Sequence, residues 1–126
     1  MILVDTSVWV DHLRKGDARL KALLGAGQVL VHSFVIGELA MGNLRQREAI
    51  LQSLQDLPQA APADDGEVLG FIERNALFGL GIGYVDAQLL ASARLSAAPL
   101  WTHDKRLHGV ASRLGLAAQT SGEAKP

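Results

Sequence analysis

The chain has 126 residues, 48% of them hydrophobic and 20% charged; that is enough for one domain with a real core and excludes a disordered chain. It has no cysteine, which rules out disulfides and thiolate metal sites and permits a reducing cytoplasm. A net charge of −1 and a pI of about 6.4 argue against a dedicated basic nucleic-acid coat protein, so any nucleic-acid role must rest on a local site, a small basic patch or a dimer groove.

In chain order, Met1 to Asp5 lacks a basic n-region and a long apolar h-region, so it is expected to be the first structural element and not a signal peptide. No apolar run reaches the roughly 18 residues of a membrane span, and a cytoplasmic location is expected. Ile2 to Val4 is a short, β-branched apolar run, which predicts a strand buried on both faces. Asp5-Thr6-Ser7 ends it with residue types that cap helices. Val8, Trp9 and Leu13, then Leu20, Leu23 and Leu24, continue at helical spacing, with Gly16 as an interruption and Gly25-Ala26-Gly27 as the stop. Val29 to Val31 predicts a second strand, followed by Ser33 as a cap and a helix through Phe34, Val35, Leu39 and Ala40 toward Gly42. Asn43 to Leu57 reads as a helix that Pro58 terminates.

Pro62 to Asp65 is a turn that can cap the next helix, which carries Val68, Leu69, Ile72, Ala76 and Leu77. Gly79-Leu80-Gly81-Ile82-Gly83 is a flexible break; no Lys-Ser or Lys-Thr follows, so it is not a phosphate-binding Walker loop. Tyr84 to Ala97 is again helical, and Pro99 marks its exit. Leu100 to Thr102 predicts a third strand, then a helix over Leu107, Val110 and Leu114 that Gly115 closes, then a fourth strand at Leu116 to Ala118. Such alternation implies an α/β fold with a central parallel sheet of four to five short strands covered by helices, and ligands in such sheets bind at the carboxyl ends of the strands. Residues 1–120 form the expected domain, and 121–126 a small, polar, disordered tail.

The chemistry centres on carboxylates. Asp5 directly follows the first strand, at the carboxyl edge of the sheet, and Asp104 repeats the pattern after the third. Either can be a simple helix cap. Asp86 lies in the middle of the helix face formed by Leu89, Leu90, Ala93 and Ala97. A carboxylate aimed at the core needs a partner, because the helix dipole offsets only about 0.3–1 kcal/mol. Glu38 borders the apolar face formed by Val35 and Leu39. Brought together, four carboxylates repel and raise one another's pKa values unless a cation lies between them. An all-oxygen, highly charged ligand set suits Mg2+ or Mn2+ better than zinc, and the matching chemistry is attack of water on a phosphodiester.

These segments resemble the PIN-domain nucleases, and in particular the VapC-type ribonuclease toxins of bacterial toxin–antitoxin pairs. The matching pieces are Met1-Ile-Leu-Val-Asp5-Thr-Ser-Val-Trp9, Ser33-Phe-Val-Ile-Gly-Glu38-Leu, Gly83-Tyr-Val-Asp86-Ala-Gln-Leu-Leu-Ala and Leu100-Trp-Thr-His-Asp104-Lys-Arg-Leu107. They come in the family's order and span nearly the whole chain. The resemblance implies a three-layer α/β/α PIN fold and an RNA substrate cut to a 5′-phosphate and a 3′-hydroxyl. It implies that Asp5, Asp86 and Asp104 bind Mg2+ or Mn2+ directly or through water. Glu38 would complete the acidic pocket and orient or deprotonate the attacking water, and Ser7 and Thr102 would support the site by hydrogen bonding. A homodimer and a cognate antitoxin that blocks the site are implied as well.

Two other classes compete. One is a haloacid-dehalogenase-like phosphotransferase with Asp5 as covalent nucleophile, which calls for an aspartate where this chain has Ser7. The other is a non-catalytic PIN-like module that binds a metal or a partner. Around the site, His103 is a candidate substrate contact, and Arg14, Lys15, Arg19, Lys105 and Arg106 are candidate phosphate contacts. His12, His32 and His108 share no ligand spacing and read as surface or structural. Arg45 and Arg47 read as the exposed surface of a helix. Trp9 and Trp101 read as core or dimer interface, and the apolar face from Val68 to Phe78 as part of a dimer contact.

Overall fold

The structure is a computed structural model, and it describes residues 1–119; the expected domain end at 120 and the tail at 121–126 lie outside the described residues. The elements are β1 (Ile2–Val4), α1 (Thr6–Lys15), α2 (Ala18–Gly25), β2 (Val29–Leu30), α3 (Ser33–Ala40), α4 (Arg47–Asp56), α5 (Asp65–Arg74), α6 (Tyr84–Leu95), β3 (Leu100–Trp101) and α7 (Lys105–Arg113). The sheet has three strands in the order β2-β1-β3. Both pairings are parallel, with Leu3 opposite Leu30 on one side and Leu100 on the other.

The expected four to five strands are thus realised as three strands with one bridge on each edge. Val31 bridges to Gln59 and Leu100 to Ala117, both parallel. The segment at Leu116 to Ala118 joins the sheet through Leu100 and goes no further: Leu100 N–H donates to the Leu116 carbonyl at 2.6 Å and Ala118 N–H to the Leu100 carbonyl at 2.9 Å.

β1 is the central strand, and Leu3 and Val4 are fully buried. That is what helices on both faces of a parallel sheet require, and each buried Leu or Val stabilises by about 1.5–3 kcal/mol. α6 is the most deeply set helix: every residue from Ala87 to Ala93 is buried. It packs against α5 and β3, while α1 packs on α3 and α3 on α4. Trp9 and Trp101 belong to the core. On the face from Val68 to Phe78, Val68, Phe71 and Leu77 turn inward, whereas Leu69 and Phe78 stay exposed.

Several boundaries differ from the sequence reading. The helix expected from Asn43 starts only at Arg47, because Gln46 adopts a left-handed φ of 51°, a conformation no helix interior accepts. Arg45 is therefore on a loop. Arg47 is not idle surface: its guanidinium donates to the carbonyls of Gly42, at 3.1 Å, and of Ala40, which satisfies the open C-terminal end of α3. The cap of α3 is His32 and not Ser33, since His32 Nδ1 accepts the Phe34 N–H at 3.0 Å. α6 ends at Leu95, and Ala97 takes a left-handed φ of 51°. The turn before α5 does carry a cap: Asp64 and Glu67 form a reciprocal capping box.

Because β1 and β3 are parallel neighbours, both chains leave the sheet at the same edge. β1 hands over to Asp5 and α1 there, and β3 to Thr102, Asp104 and α7.

Candidate active site

Asp5 occupies the N-cap position of α1 yet makes no capping hydrogen bond. It is 7% exposed, so its charge needs other partners. They are hydroxyls: Ser7 Oγ and Thr102 Oγ1 each donate to Asp5 Oδ2 at 2.7 Å. Each hydroxyl in turn accepts a backbone N–H, Ser7 from His103 at 2.9 Å and Thr102 from Asp104 at 3.0 Å. Two N–H to O–H to carboxylate relays thus converge on one oxygen, and each link polarises the next. Thr6 and Ser7, read in the sequence as alternative caps, are both drawn into the site instead.

Thr6 was missed as a site residue: its hydroxyl donates to Glu38 Oε1 at 2.5 Å across 32 residues of chain. This is the link between the exposed Glu38 on α3 and the start of α1. Asp104 is a true cap, its Oδ1 accepting from the N–H groups of Arg106 and Leu107 at 2.9 and 3.1 Å. Asp86 sits in the first turn of α6, half-buried, and its Oδ2 accepts the Gly83 N–H at 3.1 Å.

The four carboxylates share one field. Burial raises the Asp86 carboxyl above the ordinary carboxylate range, and the negative charges of Asp5, Asp104 and Glu38 raise it further, against the lowering effect of the Gly83 N–H. Charges separated by up to 99 positions along the chain therefore act on Asp86. In each of the four, protein donors among the described residues reach one oxygen only: Oδ2 of Asp5 and Asp86, Oε1 of Glu38 and Oδ1 of Asp104. One oxygen anchors each group, and the other takes no protein donor among the described residues. Among the described residues no three Asp, Glu or His side chains close tightly enough to hold a metal ion between them. The donor chemistry fits a hard cation that keeps part of its water shell, and a closed three-ligand cage is not what these side chains form.

The surroundings separate the basic residues. Arg19 lies over the Trp101 ring, 4.8 Å from its centroid, and is engaged there by a cation–π contact. Arg106 lies across Gly81: a Cβ on that glycine would stand 2.5 Å from the guanidinium, and its φ of +80° favours glycine independently. The glycine-rich break thus serves to let an arginine pass. His103 Nδ1 pairs with Asp11 Oδ2 at 2.6 Å, both side chains about one-third exposed at 36% and 34%. Asp11 was not picked out in the sequence, although it stands one helical turn after Ser7 on α1. His32 is a buried cap whose pKa is lowered by burial, in keeping with its structural reading.

Against this geometry, residues 2–112 match the PIN domain family, described as "PIN domain". Ribonuclease VapC32 of Mycobacterium tuberculosis is 48% identical over 118 residues, which cover 93% of this chain and 95% of that protein. The crystal structure of FitAcB from Neisseria gonorrhoeae is similar with a TM-score of 0.62 at 21% identity, covering 89% of this chain and 94% of that one. A structure of FitAB bound to an IR36 DNA fragment gives a TM-score of 0.59 at 18% identity, over 89% and 91%. At those identities the two structures speak for the fold alone. The chain belongs to the PIN-domain family, and within it to the VapC-type members.

Proposed function

We propose that this chain is a Mg2+- or Mn2+-dependent endoribonuclease, the toxin of a toxin–antitoxin pair, and that Asp5, Glu38, Asp86 and Asp104 carry its chemistry. The observation behind this is the raised Asp86 carboxyl, pushed up by burial and by the charges of Asp5, Asp104 and Glu38. A cluster that repels itself without a cation is stabilised by one. The 48% identity to a ribonuclease over nearly the whole chain supports RNA as substrate and a cognate antitoxin as partner.

Asp5, Asp86 and Asp104 would hold the cation, at least one of them through water, since no three close into a cage among the described residues. When bound, the ion supplies a Lewis acid for the phosphodiester and lowers the pKa of water. Ser7 and Thr102 fix Asp5 by its Oδ2, which leaves its Oδ1 as the oxygen that would reach the cation. Glu38, exposed and held through Oε1 by Thr6, is the group with the freedom to orient the attacking water and take its proton. Water oxygen bonds to phosphorus, the P–O3′ bond breaks, and the 3′-oxygen leaves with a proton, giving a 5′-phosphate and a 3′-hydroxyl.

A homodimer and a cytoplasmic location complete the reading. The exposed Leu69 and Phe78 fit a dimer contact, and among the described residues no helix is long and apolar enough to cross a membrane. The phosphotransferase alternative loses support, because Asp5 Oδ2 is occupied by two hydroxyl donors and the position that calls for a second aspartate is one of them, Ser7. The decisive test is cleavage of single-stranded RNA by purified protein. Cleavage is expected with Mg2+ or Mn2+, and it should be lost both on chelation and in Asp86→Asn. Cleavage that survives both would overturn the site, and metal binding without cleavage would favour the non-catalytic module.

A further inference from the structure

A cavity of about 580 Å3 opens between α1 and the α3–α4 connection, and Glu38 stands on its wall. That volume lies within the range of about 300–1,000 Å3 typical of small-ligand pockets. Leu13, Leu39 and Ile50 give it apolar lining, and two arginines, Arg14 and Arg45, line it as well. The only side-chain ion pair among the described residues is that of His103 with Asp11, so neither arginine is committed to a carboxylate even with Glu38 in the same cavity. The wall is a built one: Arg47 pins the loop by binding the carbonyls of Ala40 and Gly42.

We propose that this cavity is a nucleotide subsite that takes the base next to the scissile phosphate of a single-stranded RNA; this rests on the nuclease reading above. Three features fit that occupant together. Continuity comes from Glu38, which belongs both to the acidic cluster and to the cavity, so a strand cut at the cluster passes the cavity mouth. Apolar side chains together with guanidinium groups line the cavity, and that is the combination against which unpaired bases pack and stack. The two cations provide a positive edge for the neighbouring phosphate in a protein whose net charge is −1, where charge for RNA has to be local. A base preference at one position beside the cut follows from the mixed lining of the cavity, where Glu38, Arg14, Arg45 and Asn43 offer hydrogen-bonding groups beside Leu13, Leu39 and Ile50.

The test uses the full chain and a fluorescein-labelled single-stranded RNA of about ten nucleotides of mixed sequence. In an Asp86→Asn background, which isolates binding from cleavage, Arg14→Ala/Arg45→Ala is expected to weaken binding about tenfold. Ultraviolet cross-links to the RNA should map to residues 38–50. With Asp86 intact, Asn43→Trp on the exposed loop should fill the cavity. It should flatten the base preference beside the cut. Unchanged binding in the arginine pair, cross-links elsewhere, or an unaltered base preference in Asn43→Trp each overturn the proposal and assign the cavity to a protein partner or to none. Binding that depends on Arg14 and Arg45 in a protein that never cleaves would instead sink the nuclease reading and keep the subsite.

Discussion

The two sides of the acidic cluster are built differently. Asp5 is buried at a strand end and tied by two hydroxyls that are themselves tied to the backbone of the β3–α7 turn. Glu38 stands on an exposed helix face and is held by one hydroxyl, that of Thr6. The first side is preorganised, its position set by the end of β1 and held by a closed hydrogen-bond network. The second is an exposed side chain on a single tether, lining a cavity. A cation needs fixed oxygens, whereas a proton acceptor must follow a water molecule, and the two sides match those two needs.

The largest effect that separates them is expected from Glu38→Gln. It keeps the Thr6 contact and removes the base, so kcat for RNA cleavage should fall about 100-fold with metal affinity changed little. Equal losses of kcat and metal affinity would break the division of labour. Next comes Thr102→Val, which removes one donor from Asp5 Oδ2. Metal affinity, followed by the Mg2+ concentration for half-maximal cleavage, should weaken about tenfold. A smaller effect is expected from Thr6→Val, which frees Glu38 without removing it: a loss of about threefold in kcat and none in metal affinity.

The smallest effect is on stability and has a definite sign. Asp86 has a raised carboxyl pKa in the folded chain. It therefore holds its proton more readily folded than unfolded, and the stability this contributes is full below the unfolded pKa and disappears as pH rises through the folded one. At neutral pH with chelator the ionised group costs stability. Asp86→Asn should then melt a few degrees higher than the parent at neutral pH, and the advantage should vanish at a pH below the ordinary carboxylate range. Added Mg2+ should raise the parent's melting temperature and leave Asp86→Asn unmoved. The opposite order of melting temperatures would mean that the cluster does not repel itself.

Legibility in the sequence followed how local the deciding interaction was. The strand at Ile2 to Val4, the stops at Gly16 and Pro58, and the turn before α5 rest on nearest-neighbour sterics and caps, and each appears where the pattern put it. The Asn43 boundary failed because an apolar period continues through residues 43–46 while the backbone of Gln46 does not; periodicity reports side chains and not φ. Thr6 and Ser7 failed as caps because a hydroxyl beside a strand end has two acceptors within reach, the helix backbone and a carboxylate. Only the position of β3 and α3 decides between them. Asp11 had no signal beyond its helical spacing from Ser7, since its partner His103 is 92 residues away.

By itself the sequence determined the class of fold, the parallel order of short buried strands among amphipathic helices, and the four acidic positions at strand ends and helix faces. Those follow from burial period and residue type, which are properties of short segments. Tertiary structure alone decided which oxygen of each carboxylate is anchored, that Arg47 binds the carbonyls of Ala40 and Gly42 at the end of α3, and that Glu38 both acts on Asp86 and lines a cavity. These depend on the meeting of β1, β3, α3 and α6 at one sheet edge, and the free energy of such meetings comes from the burial of the core as a whole.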